Sequence, residues 1–128
     1  MKPDTTEAMV RREFFKAVAS LVAMAGPVKC GAREIVRSGE LGQVAFCRVV
    51  DTEGDRERLL DFVEFVLDET RPISVAAQTG RATFRYRTFV ASYERAGRES
   101  GVWFYGSEGT LRVNRDGLGL WGSDGRMR

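Results

Sequence analysis

The stretch from residue 32 to residue 50, A-R-E-I-V-R-S-G-E-L-G-Q-V-A-F-C-R-V-V, changes its periodicity in mid-course, and this limits what the chain can become. Residues 32–38 are helix formers with Ile35 and Val36 as the apolar pair. Gly39 follows, where a helix needs a left-handed residue to stop. Residues 40–42 give a short turn. Residues 43–50 then become β-branched and aromatic, with Val44, Phe46 and Arg48 alternating against Ala45, Cys47 and Val49. The expected order is helix, glycine stop, tight turn, strand. The rest of the chain must supply strands to pair with this one and a helix to cover them.

Asp51 opens a polar joint, D-T-E-G-D-R-E-R, in which Asp55 is the expected N-cap of a helix. Leu59, Leu60, Phe62, Val63, Val66 and Leu67 recur at three- and four-residue spacing, with Asp61, Glu64 and Asp68 largely opposite. This is an amphipathic helix, expected to end by Pro72. Short strands are expected at 73–78, 81–86, 89–94, 102–105, 110–114 and 118–121, with Thr79-Gly80 and Asp116-Gly117 as tight connections. Short strands joined by small turns predict an α+β fold: an open, mostly antiparallel sheet with two covering helices. Two short helices cover about half of such a sheet. The aromatic residues Phe84, Tyr86, Tyr93, Trp103 and Tyr105 are therefore expected on the less protected face as an interface, the alternative being that the helices already cover them.

A chain of 128 residues allows one domain plus any tail. A formal charge of +2 is too small for a concentrated phosphate-binding surface, so no nucleic-acid partner is expected. The chain has no histidine, which removes the commonest general base and metal ligand together. Cys30 and Cys47 alone make a poor metal set, and no metal is expected. A disulfide between them is possible in an oxidising compartment, but a buried Cys47 acting as a small hydrophobe is the favoured reading.

Four blocks carry a family resemblance: R-E-I-V-R-S-G-E-L-G-Q-V at 33–44, L-L-D-F-V-E-F-V-L-D at 59–68, A-T-F-R-Y at 82–86 and F-Y-G-S-E-G-T-L-R-V-N-R at 104–115. In this order they resemble the C-terminal domain of Gfo/Idh/MocA-type oxidoreductases. The resemblance implies an open sheet that serves oligomerisation, in enzymes that oxidise sugars or polyols with NAD(P). It covers only the second domain of that family, so no Rossmann domain and no NAD(P) binding by this chain alone are expected, and no catalytic residue is assigned. In active relatives the joint before the helix reads like G-x-H-x-x-D. Matching on Asp61 puts Arg58 at the histidine and Arg56 at the glycine. A guanidinium stays protonated at neutral pH, so Arg58 can hold an anion but cannot exchange a proton. Arg58 and Asp61 are the substrate-pocket candidates, with a solvated or capping carboxylate the plainer reading of Asp61. The family's catalytic lysine lies in its first domain.

Upstream, Arg11-Arg12 is followed by Phe14, Phe15 and Lys16, a short apolar run, and Ala23-Met24-Ala25. A charged region, a short apolar region and a small-x-small site in this order make a twin-arginine export signal. The apolar run is too short for stable membrane insertion. The expected organisation is a signal at 1–25, a leader at 26–32, the oxidoreductase-like domain at 33–122 and a tail at 123–128, in a periplasmic or exported protein. The expected partner, through the sheet face, is a second copy or a full-length homologue; the alternative reading is a small exported ligand-binding domain.

Two further patterns are set aside. G-x-G-x-x-G at 117–122 lacks a following helix to take a pyrophosphate, so these glycines are read as hairpin residues. Arg81, Arg85, Arg87, Arg95 and Arg98 among aromatics imitate an RNA-binding sheet, but Glu94 and Glu99 beside them favour a solvated face.

Overall fold

The computed structural model describes residues 26–97 and 99–128. The expected signal, with Arg11 and Arg12, and the residue Arg98 lie outside the described residues. Among the described residues two helices, α1 (Gly26–Arg37) and α2 (Arg56–Leu67), accompany seven strands. The strands are β1 (Val44–Asp51), β2 (Ser74–Gln78), β3 (Arg81–Arg85), β4 (Val90–Arg95), β5 (Gly101–Gly106), β6 (Gly109–Asn114) and β7 (Gly117–Gly122). They form one sheet in the order β2-β3-β4-β1-β5-β6-β7. β1 runs parallel to β4, and every other neighbouring pair is antiparallel. The expected α+β class, with an open and mostly antiparallel sheet under two helices, is what the chain adopts.

α1 starts at Gly26, so the segment expected as a leader is its first half. The glycine stop holds: Gly39 takes φ +81° and donates to the Val36 carbonyl at 3.2 Å, while the Ser38 hydroxyl donates to the Ile35 carbonyl. α2 ends sooner than Pro72 implies, because Asp68 enters the left-handed region and its N–H reaches the Glu64 carbonyl. Asp55 precedes α2 but makes no side-chain cap.

The alternation expected in β1 holds from Phe46 to Val49, after which Val50 and Asp51 are both buried. Cys47 and Val49 are fully buried, while Phe46 and Arg48 are exposed. Ala45 departs from it: a bulge between Val44 and Phe46 leaves this residue exposed rather than on the buried side. The core lies between α2 and the sheet. Leu59, Phe62, Val63 and Val66 of α2 form one buried cluster with Cys47, Val49, Val102, Phe104, Leu111 and Val113, and α1 covers the β6–β7 end. At its centre the Phe62 and Phe104 rings meet edge to face at 5.9 Å. Lys29 and Arg33 of α1 lie over the Phe65 ring of α2, which docks the helices on one another. Cys30 and Cys47 are free thiols, the first exposed and the second buried.

The sheet edges differ. All five residues of β2 are exposed. Beside β7 the chain end folds back: Gly122 donates to the Arg126 carbonyl at 2.8 Å and Arg128 to the Leu120 carbonyl at 2.7 Å.

Candidate functional site

The five aromatic residues expected on an open face divide between the two faces. Phe84, Tyr86 and Tyr93 belong to the buried core on the helix side and are not available to a partner. The alternation within β3 and β4 turns these side chains under α2, so for them the helix-covered alternative is correct. Tyr86 donates a 2.6 Å hydrogen bond to Glu64 of α2. Burial raises the Glu64 pKa, and this hydrogen bond works the other way. Trp103 and Tyr105 point to the opposite, open face with Phe46, which stacks on Tyr105 at 5.7 Å and is 40% exposed. Arg48 lies beside this pair, with its guanidinium 5.5 Å from the Trp103 ring centroid and 3.2 Å from Glu94. Arg81 reaches the other Glu94 oxygen at 3.5 Å. The arginines read as a solvated sheet face follow that pattern at Arg81, Arg85 and Arg87, while Arg95 borders the start of α2.

On the helix side, a cleft of about 450 Å³ opens at the start of α2, lined by Asp55, Arg56, Arg58, Tyr93 and Arg95. Arg58 is thus placed at a concave site. Asp61, exposed on α2, does not line that cleft. Glu57 lines the cleft as well, so three arginines face two carboxylates and the site's charge is mixed with a small positive excess, which suits binding of a polar group.

The open face carries a larger cleft, of about 740 Å³, which sequence reasoning missed. Trp103 of β5 and Trp121 of β7 stand on either side of β6, whose Thr110, Arg112 and Asn114 line it. Glu99, Ser107 and Ser123 are also among the lining residues. A usable signal was present: G-x-W occurs at 101–103 and again at 119–121. In each case the indole reaches back over the glycine. A Cβ on Gly101 would come within 2.9 Å of the Trp103 ring, and one on Gly119 within 2.8 Å of the Trp121 ring.

No group of His, Cys, Asp and Glu residues able to hold a metal ion occurs among the described residues. The G-x-G-x-x-G at 117–122 does not form a dinucleotide loop. Gly117 turns the β6–β7 hairpin at φ +101°, the Trp121 ring covers Gly119, and no described helix starts from these glycines. No helix among the described residues is long and apolar enough to cross a membrane.

No protein-family model matches the sequence, and no curated protein matches it. Solved structures do match. Levoglucosan dehydrogenase in complex with NADH and levoglucosan superposes with a TM-score of 0.62 over 88% of this chain and 45% of that one, at 13% identity. An inositol dehydrogenase homolog from Azotobacter vinelandii, complexed with NADH and myo-inositol, gives 0.65 over 96% of this chain and 45% of that one, at 14% identity. The fold is that of the C-terminal domain of Gfo/Idh/MocA-type oxidoreductases. An NAD binding oxidoreductase from Klebsiella pneumoniae gives 0.62 over 88% and 45%, at 15% identity. The chain therefore spans under half the length of these Gfo/Idh/MocA-type structures. No Rossmann unit is present among the described residues.

Proposed function

We propose that this chain is a substrate-side and assembly domain of an NAD(P)-dependent sugar or polyol oxidoreductase, and that it does not transfer hydride by itself. One observation carries this reading: the sheet is closed by helices on one face and aromatic at the middle of the other. An antiparallel sheet tolerates a solvated face when that face is polar. Here Phe46, Tyr105 and Trp103 occupy adjacent strands of it, an arrangement suited to packing face on face against a second copy or a longer homologue. The Arg48–Glu94–Arg81 ion pairs beside the patch carry both signs of charge. An isologous contact can therefore match each sign to its opposite. On the helix side, the Arg58 cleft faces the joint where a substrate pocket would form, and its guanidinium would hold an anionic or strongly hydrogen-bonding group. Export through the twin-arginine pathway belongs to the same reading, supported by the sequence of residues 11–25.

The full chain should elute as a compact dimer or tetramer, with its mass fixed by light scattering. Phe46→Asp should convert it to a monomer with an unchanged circular dichroism spectrum. A compact monomeric wild type would overturn the assembly role. Reduction of NAD(P)⁺ by the purified chain with a sugar or polyol would overturn the non-catalytic role. Replacing Arg11 and Arg12 by lysine should hold the protein in the cytoplasmic fraction, and export undiminished by that change would remove the twin-arginine route.

A further inference from the structure

We propose that the β2 edge of the sheet pairs antiparallel with the β2 edge of a second copy, about a two-fold axis at Val75. β2 bonds to β3 on one side, and among the described residues no strand lies on its other side. Its outward N–H and C=O groups are an open template for another strand. Sheets ordinarily blunt such an edge with a charge, a proline or a bulge. Ser74-Val75-Ala76-Ala77-Gln78 carries no charge and no proline, and its register with β3 runs unbroken. The opposite edge is treated differently. Met127 bridges Trp121, and Arg128 donates to the Leu120 carbonyl, so residues of the same chain lie along β7.

The side chains identify the occupant as a second copy. Val75 stands opposite Phe84, which is buried on the helix side of the sheet, yet Val75 is 52% exposed. Ile73, two residues earlier and tied to the Arg85 carbonyl through its N–H at 2.7 Å, is 62% exposed. Alternation puts both on the helix side, so two large apolar side chains stand in solvent along one edge. An antiparallel partner keeps opposed residues on one face. With the axis at Val75, this residue meets the partner's Val75, and Ile73 meets the partner's Ala77. On the open face Ser74 meets the partner's Ala76. The apolar positions thus map onto one another, and no charged side chain enters the pairing. An axis at Ala76 would set Ile73 opposite Thr79, beyond the end of β2.

The axis stands perpendicular to the sheet, so both copies keep their helices on one side and their open faces in one layer. The Phe46 patch stays free to stack. The edge pairing rests on that face-on-face contact: a stable interface buries about 1,200–2,000 Å² in total, more than a five-residue strand supplies. The edge therefore joins two face-stacked dimers rather than holding a dimer alone. Two different isologous contacts close a tetramer of D2 symmetry.

Opposite charges placed at the axis test the register. The full chain, sized by light scattering, should be a tetramer. Val75→Lys and Val75→Glu each set two like charges face to face and should each give a dimer, with an unchanged circular dichroism spectrum. Mixing the two variants in equal amounts should restore the tetramer, because lysine then faces glutamate. Misfolding or a plain loss of apolar surface is not repaired by mixing. A mixture that stays dimeric overturns the pairing, as does a wild-type tetramer or dimer that both variants leave intact. The two contacts fail separately. A wild-type dimer split by Phe46→Asp and spared by both Val75 variants keeps the face contact and removes the edge. A wild-type dimer split by Val75→Lys and spared by Phe46→Asp keeps the edge and removes the face contact. A monomeric wild type overturns both.

Discussion

The Tyr93 hydroxyl donates a 2.8 Å hydrogen bond to the fully buried carboxylate of Asp51. The other oxygen of that carboxylate accepts the N–H groups of Glu53 and Gly54, each at 3.0 Å. A single side chain therefore ends β1, folds the turn that follows and ties it to β4. Tyr93→Phe removes one donor from a buried charge and should cost about 2 kcal/mol. Asp51→Ala strands the phenol and both backbone donors, and should cost more. Urea unfolding of both variants measures the order, and an equal loss would mean that the turn does not depend on Asp51.

The same pair makes the fold sensitive to alkali. Burial, reinforced by the hydrogen bond to Asp51, pushes the Tyr93 pKa up to about 12 from 10.0. The folded state thus holds the phenolic proton more tightly than the unfolded chain. The stabilisation is fully present below pH 10 and is lost as pH rises towards 12. Tyr86 is raised as well, by burial and by Glu64, and loses its contribution in the same direction at still higher pH. Unfolding midpoints measured from pH 9 upward should fall through this window, and less steeply in Tyr93→Phe.

The two thiols should react on different timescales. Cys47 is fully buried, and burial raises its pKa far above the ordinary thiol value. Cys30 is exposed on α1. Ellman's reagent should take up one equivalent promptly and the second only on unfolding. Two fast equivalents would mean that β1 opens readily.

Gly106 at the end of β5 sits where the chain leaves α1 for β1. A Cβ there would run into the backbone carbonyl of Leu41, whose side chain is fully buried. Gly106→Ala should destabilise by about 1–3 kcal/mol, as overpacking does. Gly80→Ala provides a control at a position with no neighbouring atom, where only the positive φ of +73° is strained. Thermal unfolding should show Gly106→Ala as the more damaging of the two.

Local features of the fold were legible in the sequence, and long-range ones were not. The apolar spacing of Leu59, Phe62, Val63 and Val66 located α2, and Gly39 located the end of α1. Both depend on neighbours in sequence. Alternation in β3 through β5 identified which side chains share a face, but not which face lies under the helices. That depends on strand order, and strand order comes from pairings such as Phe46 with Val90 and with Tyr105. Hence Phe84, Tyr86 and Tyr93 were grouped with Trp103 and Tyr105, although they lie on opposite sides. The Trp103–Trp121 cleft requires β5, β6 and β7 to stand side by side. Within the sequence only the repeated G-x-W hinted at it.

β1 is the first strand among the described residues and the middle strand of the finished sheet, with a three-stranded meander on either side. During synthesis β2, β3 and β4 can pair as soon as they emerge. β1 waits with an open edge until Tyr105 has left the ribosome. Translation therefore delivers the central strand first, while sheet closure completes it late. Contacts so far apart in sequence form slowly. The nascent chain carries its central strand, with the fully buried Cys47, Val49 and Asp51, unsheltered for longest, and any chaperone that attends this protein has most to protect there.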